Sequence, residues 1–126
     1  MKNNARRAFT LIELLVVMAI VSLLATIALP RYFQSIDTAR ETILADNLRI
    51  TRETIDKFYG DTGRYPESLE ELVEKKYLRS LPWDPVLENN TSWVLEAPDD
   101  GSKGSVYNLR SAAPGNTRDG RPFNQL

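Results

Sequence analysis

Arg6-Arg7-Ala8-Phe9-Thr10-Leu11-Ile12-Glu13-Leu14-Leu15-Val16-Val17 is the stretch whose reading decides the fold of this chain. Ahead of it stands a short, polar, positive opening that holds Lys2, with Arg6 and Arg7 at its end. Behind it the apolar run continues to Leu29, and residues 14–29 carry no charge. The 21 residues from Phe9 to Leu29 would span about 31 Å as a helix, close to one hydrocarbon core. Basic residues ahead of such a run hold that end in the cytoplasm.

Glu13 is the unusual residue. A carboxylate in a membrane span costs about 3 kcal/mol on insertion scales, less near an end. Two readings stand: Glu13 has a cationic partner, or it lies among the lipid headgroups and is tolerated there. A secretory signal would also begin basic and then apolar, but it is cut after the apolar run. Ser22, Ala25 and Ala28 supply small residues near that end, yet the run passes directly into Pro30-Arg31-Tyr32 and a helical pattern.

Residues 6–17 resemble the class III leader junction of type IV pilins and type II secretion pseudopilins. The resemblance implies a cut by prepilin peptidase between Ala8 and Phe9, N-methylation of Phe9, and an acid, Glu13, at the fifth mature position. The family usually has Gly where Ala8 stands. It also supplies a partner for Glu13, the new amine at Phe9 of an adjacent subunit. Each charge alone is costly among apolar helices, and pairing lowers that cost and favours one axial register.

Pro30 ends the apolar run. It removes one helical hydrogen bond, and a kink is expected there because helical patterning resumes at once. Members of the family commonly carry a proline at this place, so Pro30 joins Glu13 as an assembly residue. Ile36, Ile43, Leu44, Leu48, Ile55, Phe58 and Tyr59 then recur at helical spacing on one arc. Asp46, Arg49, Arg52, Glu53 and Asp56 fall opposite, with Arg49–Glu53, Arg52–Asp56 and Glu53–Lys57 spaced to pair along a solvated face. The helix is expected to end near Gly60.

A loop over 60–66 precedes a short amphipathic helix, expected over 67–76 with Leu69, Leu72 and Val73 inward. Residues 77–85 read as an extended, proline-stiffened connection. Strands are expected over 91–96 and 105–110, joined through Asp99-Asp100-Gly101 as a hairpin turn. The tail from Ser111 is expected to be irregular.

Composition closes off whole classes of chemistry. The chain of 126 residues has no histidine and no cysteine, which removes imidazole and thiolate metal sites, a Ser-His-Asp triad and disulfides. Net charge is −1, giving no basic footprint for nucleic acid. Without Lys2, Arg6 and Arg7 the mature chain would keep 13 basic and 17 acidic side chains.

Asp61-Thr62-Gly63-Arg64-Tyr65-Pro66-Glu67-Ser68-Leu69-Glu70-Glu71-Leu72, then Tyr77-Leu78 and Pro82-Trp83-Asp84-Pro85, are similar to the major pseudopilin family of type II secretion systems. True type IVa pilins usually close a C-terminal loop with a disulfide, which a chain without cysteine cannot form. The resemblance also implies a calcium ion in the C-terminal loop, 108–120. Carboxylates are scarce in it: Asp119, flanked by Arg118 and Arg121, and Asn116 are the only side-chain candidates, and no metal or other cofactor is assigned on them. The expectation is an α+β, type IV pilin-like fold. Residues 1–8 form the leader, 9–29 the membrane half of a long helix, and 30–126 a periplasmic domain. The chain is expected to be a single-pass inner-membrane subunit with no catalytic residues. Its expected partners are copies of itself, minor pseudopilins, prepilin peptidase, an inner-membrane assembly platform and the lipid bilayer. The alternatives are a type IV pilus subunit or a small periplasmic domain on an uncleaved anchor.

Overall fold

The structure, a computed structural model, describes residues 8–126, so Lys2, Arg6 and Arg7 of the basic opening lie outside the described residues. Its first element, α1, is one helix over Leu11–Thr62 with Pro30 inside it. By compactness the chain divides into two units, one ending at Asp37 and one covering Thr38–Leu126.

In the first unit the apolar side chains face outward, from Leu11 at 80% exposed to Leu29 at 53%. Such a surface calls for lipid or other helices around it. Tyr32 and Phe33 meet edge to face with centroids 5.8 Å apart.

In the second unit α1 turns one stripe inward: Leu44, Leu48, Thr51, Ile55 and Phe58 are buried at alternating steps of four and three. That spacing keeps one helical face on a core. Thr51 joins the stripe because its hydroxyl donates to the Asn47 carbonyl at 2.7 Å, leaving only its methyl to pack. Ile43 and Tyr59, expected on the same arc, sit at its edges, 48% and 39% exposed.

The short helix α2 covers Leu69–Glu74 and puts Leu69 and Leu72 into that core. It is shorter than expected because Ser68 caps it, accepting the Glu71 N–H at 3.2 Å. Lys76, in the left-handed region at φ 67°, ends it. The core is completed by Tyr65, Val106 and Leu109, with Tyr77, Leu78, Leu81, Val86, Trp93 and Phe123 around it.

Two strands, β1 (Val94–Glu96) and β2 (Asn108–Arg110), pair antiparallel with Leu95 opposite Leu109. The α+β architecture expected of a pilin-like chain is thus present, with strands half the expected length. For β2 the reason lies in where residues 103–106 bond. Lys103 O accepts the Tyr65 N–H at 2.8 Å, and the Ser105 and Val106 N–H groups reach Pro66 O at 3.1 and 2.9 Å. Backbone tied to the 65–66 segment cannot also extend the ladder. Asp99-Asp100-Gly101 therefore lies within a long connection rather than in a tight hairpin turn. The tail is mostly irregular, with a 3-10 turn at Phe123–Gln125.

Candidate assembly site and C-terminal loop

Ala8, Phe9 and Thr10 have no regular structure and are exposed, and the helix starts immediately after them. The Thr10 hydroxyl accepts the Glu13 N–H at 3.1 Å, satisfying one of the free donors that every helix start presents. Thr10-x-x-Glu13 is half of a capping box, a pattern legible in the sequence alone. Glu13 is also an acid in the first helical turn, where the helix dipole favours negative charge. It is the lone charged residue between Ala8 and Arg31.

This arrangement fixes what can happen chemically at the helix start. The 8–9 peptide bond lies in exposed, non-helical chain, the form a protease cleft grips. An amine created at Phe9 would sit at the positive end of the helix, where its own dipole disfavours it. Glu13, in the first helical turn, is the acid nearest such an amine in sequence.

Pro30 sits in unbroken helix. Having no N–H, it leaves the Thr26 carbonyl without its usual partner. The Thr26 hydroxyl donates to the Ser22 carbonyl at 2.8 Å one turn earlier, and such back-bonding bends helices.

The C-terminal loop holds the two side chains weighed for calcium, Asn116 and Asp119. Asn116 is exposed, and its backbone bridges to Pro122. Asp119 Oδ1 accepts the Thr117 hydroxyl, and Oδ2 accepts Arg121 Nε–H at 3.2 Å. The carbonyls of Gly115, Thr117, Arg121 and Pro122 already accept N–H groups at 3.1, 3.0, 2.7 and 3.0 Å. Calcium takes six to eight oxygens, several of them carboxylate. Asp119 is the single carboxylate of the 108–120 loop, and among the described residues no three His, Cys, Asp or Glu side chains cluster to hold a metal. The residues present do not fit a calcium ion.

Three structural residues were not foreseen. Arg52, placed on the solvated face beside Asp56, instead turns toward β2 and the tail. It donates to Asn108 Oδ1 at 2.7 Å, to Leu109 O at 2.9 Å and to the Leu126 backbone oxygen at 2.6 Å. Burial pulls its guanidinium below the ordinary value, Arg110's like charge adds to this, and Glu96 opposes it. Asp84, read as part of an extended connection, is 2% exposed. Its Oδ1 accepts the Val86 and Leu87 N–H groups at 2.9 and 3.1 Å, and its Oδ2 accepts the Ser111 hydroxyl at 2.5 Å. An Asp-Pro pair beside Asn89 signals such a turn. Glu71 forms a two-pronged pair with Arg64, at 2.7 and 3.0 Å, and also accepts the Glu67 N–H at 2.9 Å. The expected Arg49–Glu53 pair does form, at 3.1 Å, and Arg49 also reaches Asp46 at 2.7 Å.

A basic opening, a capped apolar helix with one acid in its first turn, and a small α+β unit define the type IV pilin-like class. Residues 3–29 match the model of the prokaryotic N-terminal methylation motif. The chain is 30% identical over 101 residues to type II secretion system core protein G of Pseudomonas aeruginosa, covering 68% of this chain and 71% of that protein. It is 29% identical over 128 residues to the Escherichia coli K12 core protein G, covering 89% and 84%. A type IV major alpha-pilin of Moraxella bovis is 42% identical over 73 residues, which cover 58% of this chain and 45% of the pilin. No solved structure matches the chain. The chain belongs to the type II secretion core protein G family. These relatives are named as secretion core proteins or pilins rather than as enzymes.

Proposed function

We propose that this chain is the filament-forming subunit of a type II secretion pseudopilus. The observation that carries this is the pattern of coverage: core protein G relatives align over 71% and 84% of their own length, the Moraxella pilin over 45%. In this reading prepilin peptidase removes residues 1–8 and methylates Phe9. The helix from Phe9 to Leu29 anchors the subunit in the inner membrane, and residues 30–126 stand in the periplasm. Subunits then leave the bilayer at an assembly platform, join earlier copies and minor pseudopilins, and drive folded proteins outward as the filament grows. Glu13 meets the Phe9 amine of a neighbour within the filament.

Deleting the gene in its own host tests this directly. Export of folded proteins should stop while twitching and surface pili persist. The pilin relatives favour one rival, a pilus subunit, and loss of twitching with export intact would establish that rival instead. Mass spectrometry of the mature protein should find a methylated Phe9 as its first residue. An intact Met1, or a start after Ala28, would overturn the processing scheme.

A further inference from the structure

The segment 114–121 leaves the core and returns to it with only Thr117 buried. It has little apolar area to hold it in place, so polar bonds must order it. The family resemblance would assign that work to calcium, whose ligands this loop lacks. What the loop has instead is a closed set of side-chain bonds around Thr117. The Thr117 hydroxyl donates to Asp119 and accepts the Arg121 N–H at 3.1 Å. Arg121 Nε then reaches the other Asp119 oxygen. From α1, Glu41 Oε1 accepts the Arg118 N–H at 2.7 Å, and Thr38 Oγ1 accepts from the Arg118 guanidinium at 2.7 Å.

We propose that Arg121 does for this loop what the family resemblance assigns to a calcium ion: its guanidinium neutralises Asp119 across the Thr117 hydroxyl, Arg118 pins the loop to α1, and the loop folds without metal. A covalently attached charge has no dissociation constant, so the loop's order does not follow the calcium level outside the cell membrane. The Asp119 carboxyl accordingly lies below the usual range, chiefly through the Thr117 hydroxyl and then through Arg121. This inference is independent of whether the filament is a pseudopilus or a pilus.

The test is amide hydrogen exchange across residues 115–122 of the full-length protein in detergent micelles, with millimolar calcium chloride or with EGTA. Exchange and melting temperature should be the same in both. Arg121→Gln should speed exchange at Thr117–Gly120 by about three-fold in EGTA, as expected for an exposed ion pair, and Arg121→Lys should restore much of the protection. Slower exchange in the unaltered protein on adding calcium would overturn the proposal. So would Arg121→Gln exchanging at the parent rate in EGTA.

Discussion

Glu13 lies on the first helical turn of a segment with no other charge before Arg31, and its backbone N–H is already held by Thr10. The helix start is thus held by Thr10 rather than by this carboxylate, and truncation should leave it in place. Glu13→Ala should leave insertion and leader cleavage intact and lower filament yield, assayed by shearing and immunoblot, about tenfold, equivalent to roughly 1.4 kcal/mol per addition step. Normal filaments from that variant would sink the pairing. Glu71 gives a pH signature. Arg64, then the Glu67 N–H, hold its carboxyl down from 4.5 to about 2. The unfolded chain takes up that proton near 4.5 and the folded chain only near 2. Stability is thus fully present above 4.5 and lost as pH falls toward 2. Glu71→Gln should cost about 1 kcal/mol at neutral pH and flatten the acid limb of a plot of melting temperature against pH.

Among the elements, those with a strong periodic signal were legible, and those shaped by distant backbone contacts were not. The inward stripe from Leu44 to Phe58 follows from apolar spacing alone, apart from Thr51, whose polar atom is silenced by its own helix. Arg52 was misplaced because a wheel shows which residues lie opposite the core, not where β2 and the tail return. Both strands lie within their expected ranges, and β2 starts later than its pattern implies, since sequence pattern cannot reveal that residues 103–106 bond to the 65–66 segment. Gly104 is the pivot of that contact: at φ 104°, a Cβ there would lie 2.1 Å from the Tyr65 carbonyl oxygen. Gly104→Ala should cost about 3 kcal/mol or more by urea denaturation, through both clash and backbone strain. A variant as stable as the parent would mean the connection does not dock there.

For the whole molecule, the N-terminal processing signature and the family were readable from residues 6–17 and 61–85, because both rest on contiguous motifs. The polar lock of the C-terminal loop was not, because its partners, Thr38 and Glu41, lie far away in sequence. Among the described residues, the buried ones all belong to the unit that starts at Thr38. A chain beginning at Thr38 should therefore be a soluble monomer with one cooperative melting transition by circular dichroism, while the full chain partitions into membranes. Asp84 adds a chemical consequence of its own. An Asp–Pro link is the peptide bond most prone to scission in warm acid, through attack by the aspartate's own carboxyl on its carbonyl carbon. In the native state that carboxyl is buried with both oxygens engaged by Val86, Leu87 and Ser111, so it cannot swing onto the bond. Splitting between residues 84 and 85 must wait for the surrounding structure to open, and the appearance of those two fragments serves as a built-in clock for unfolding.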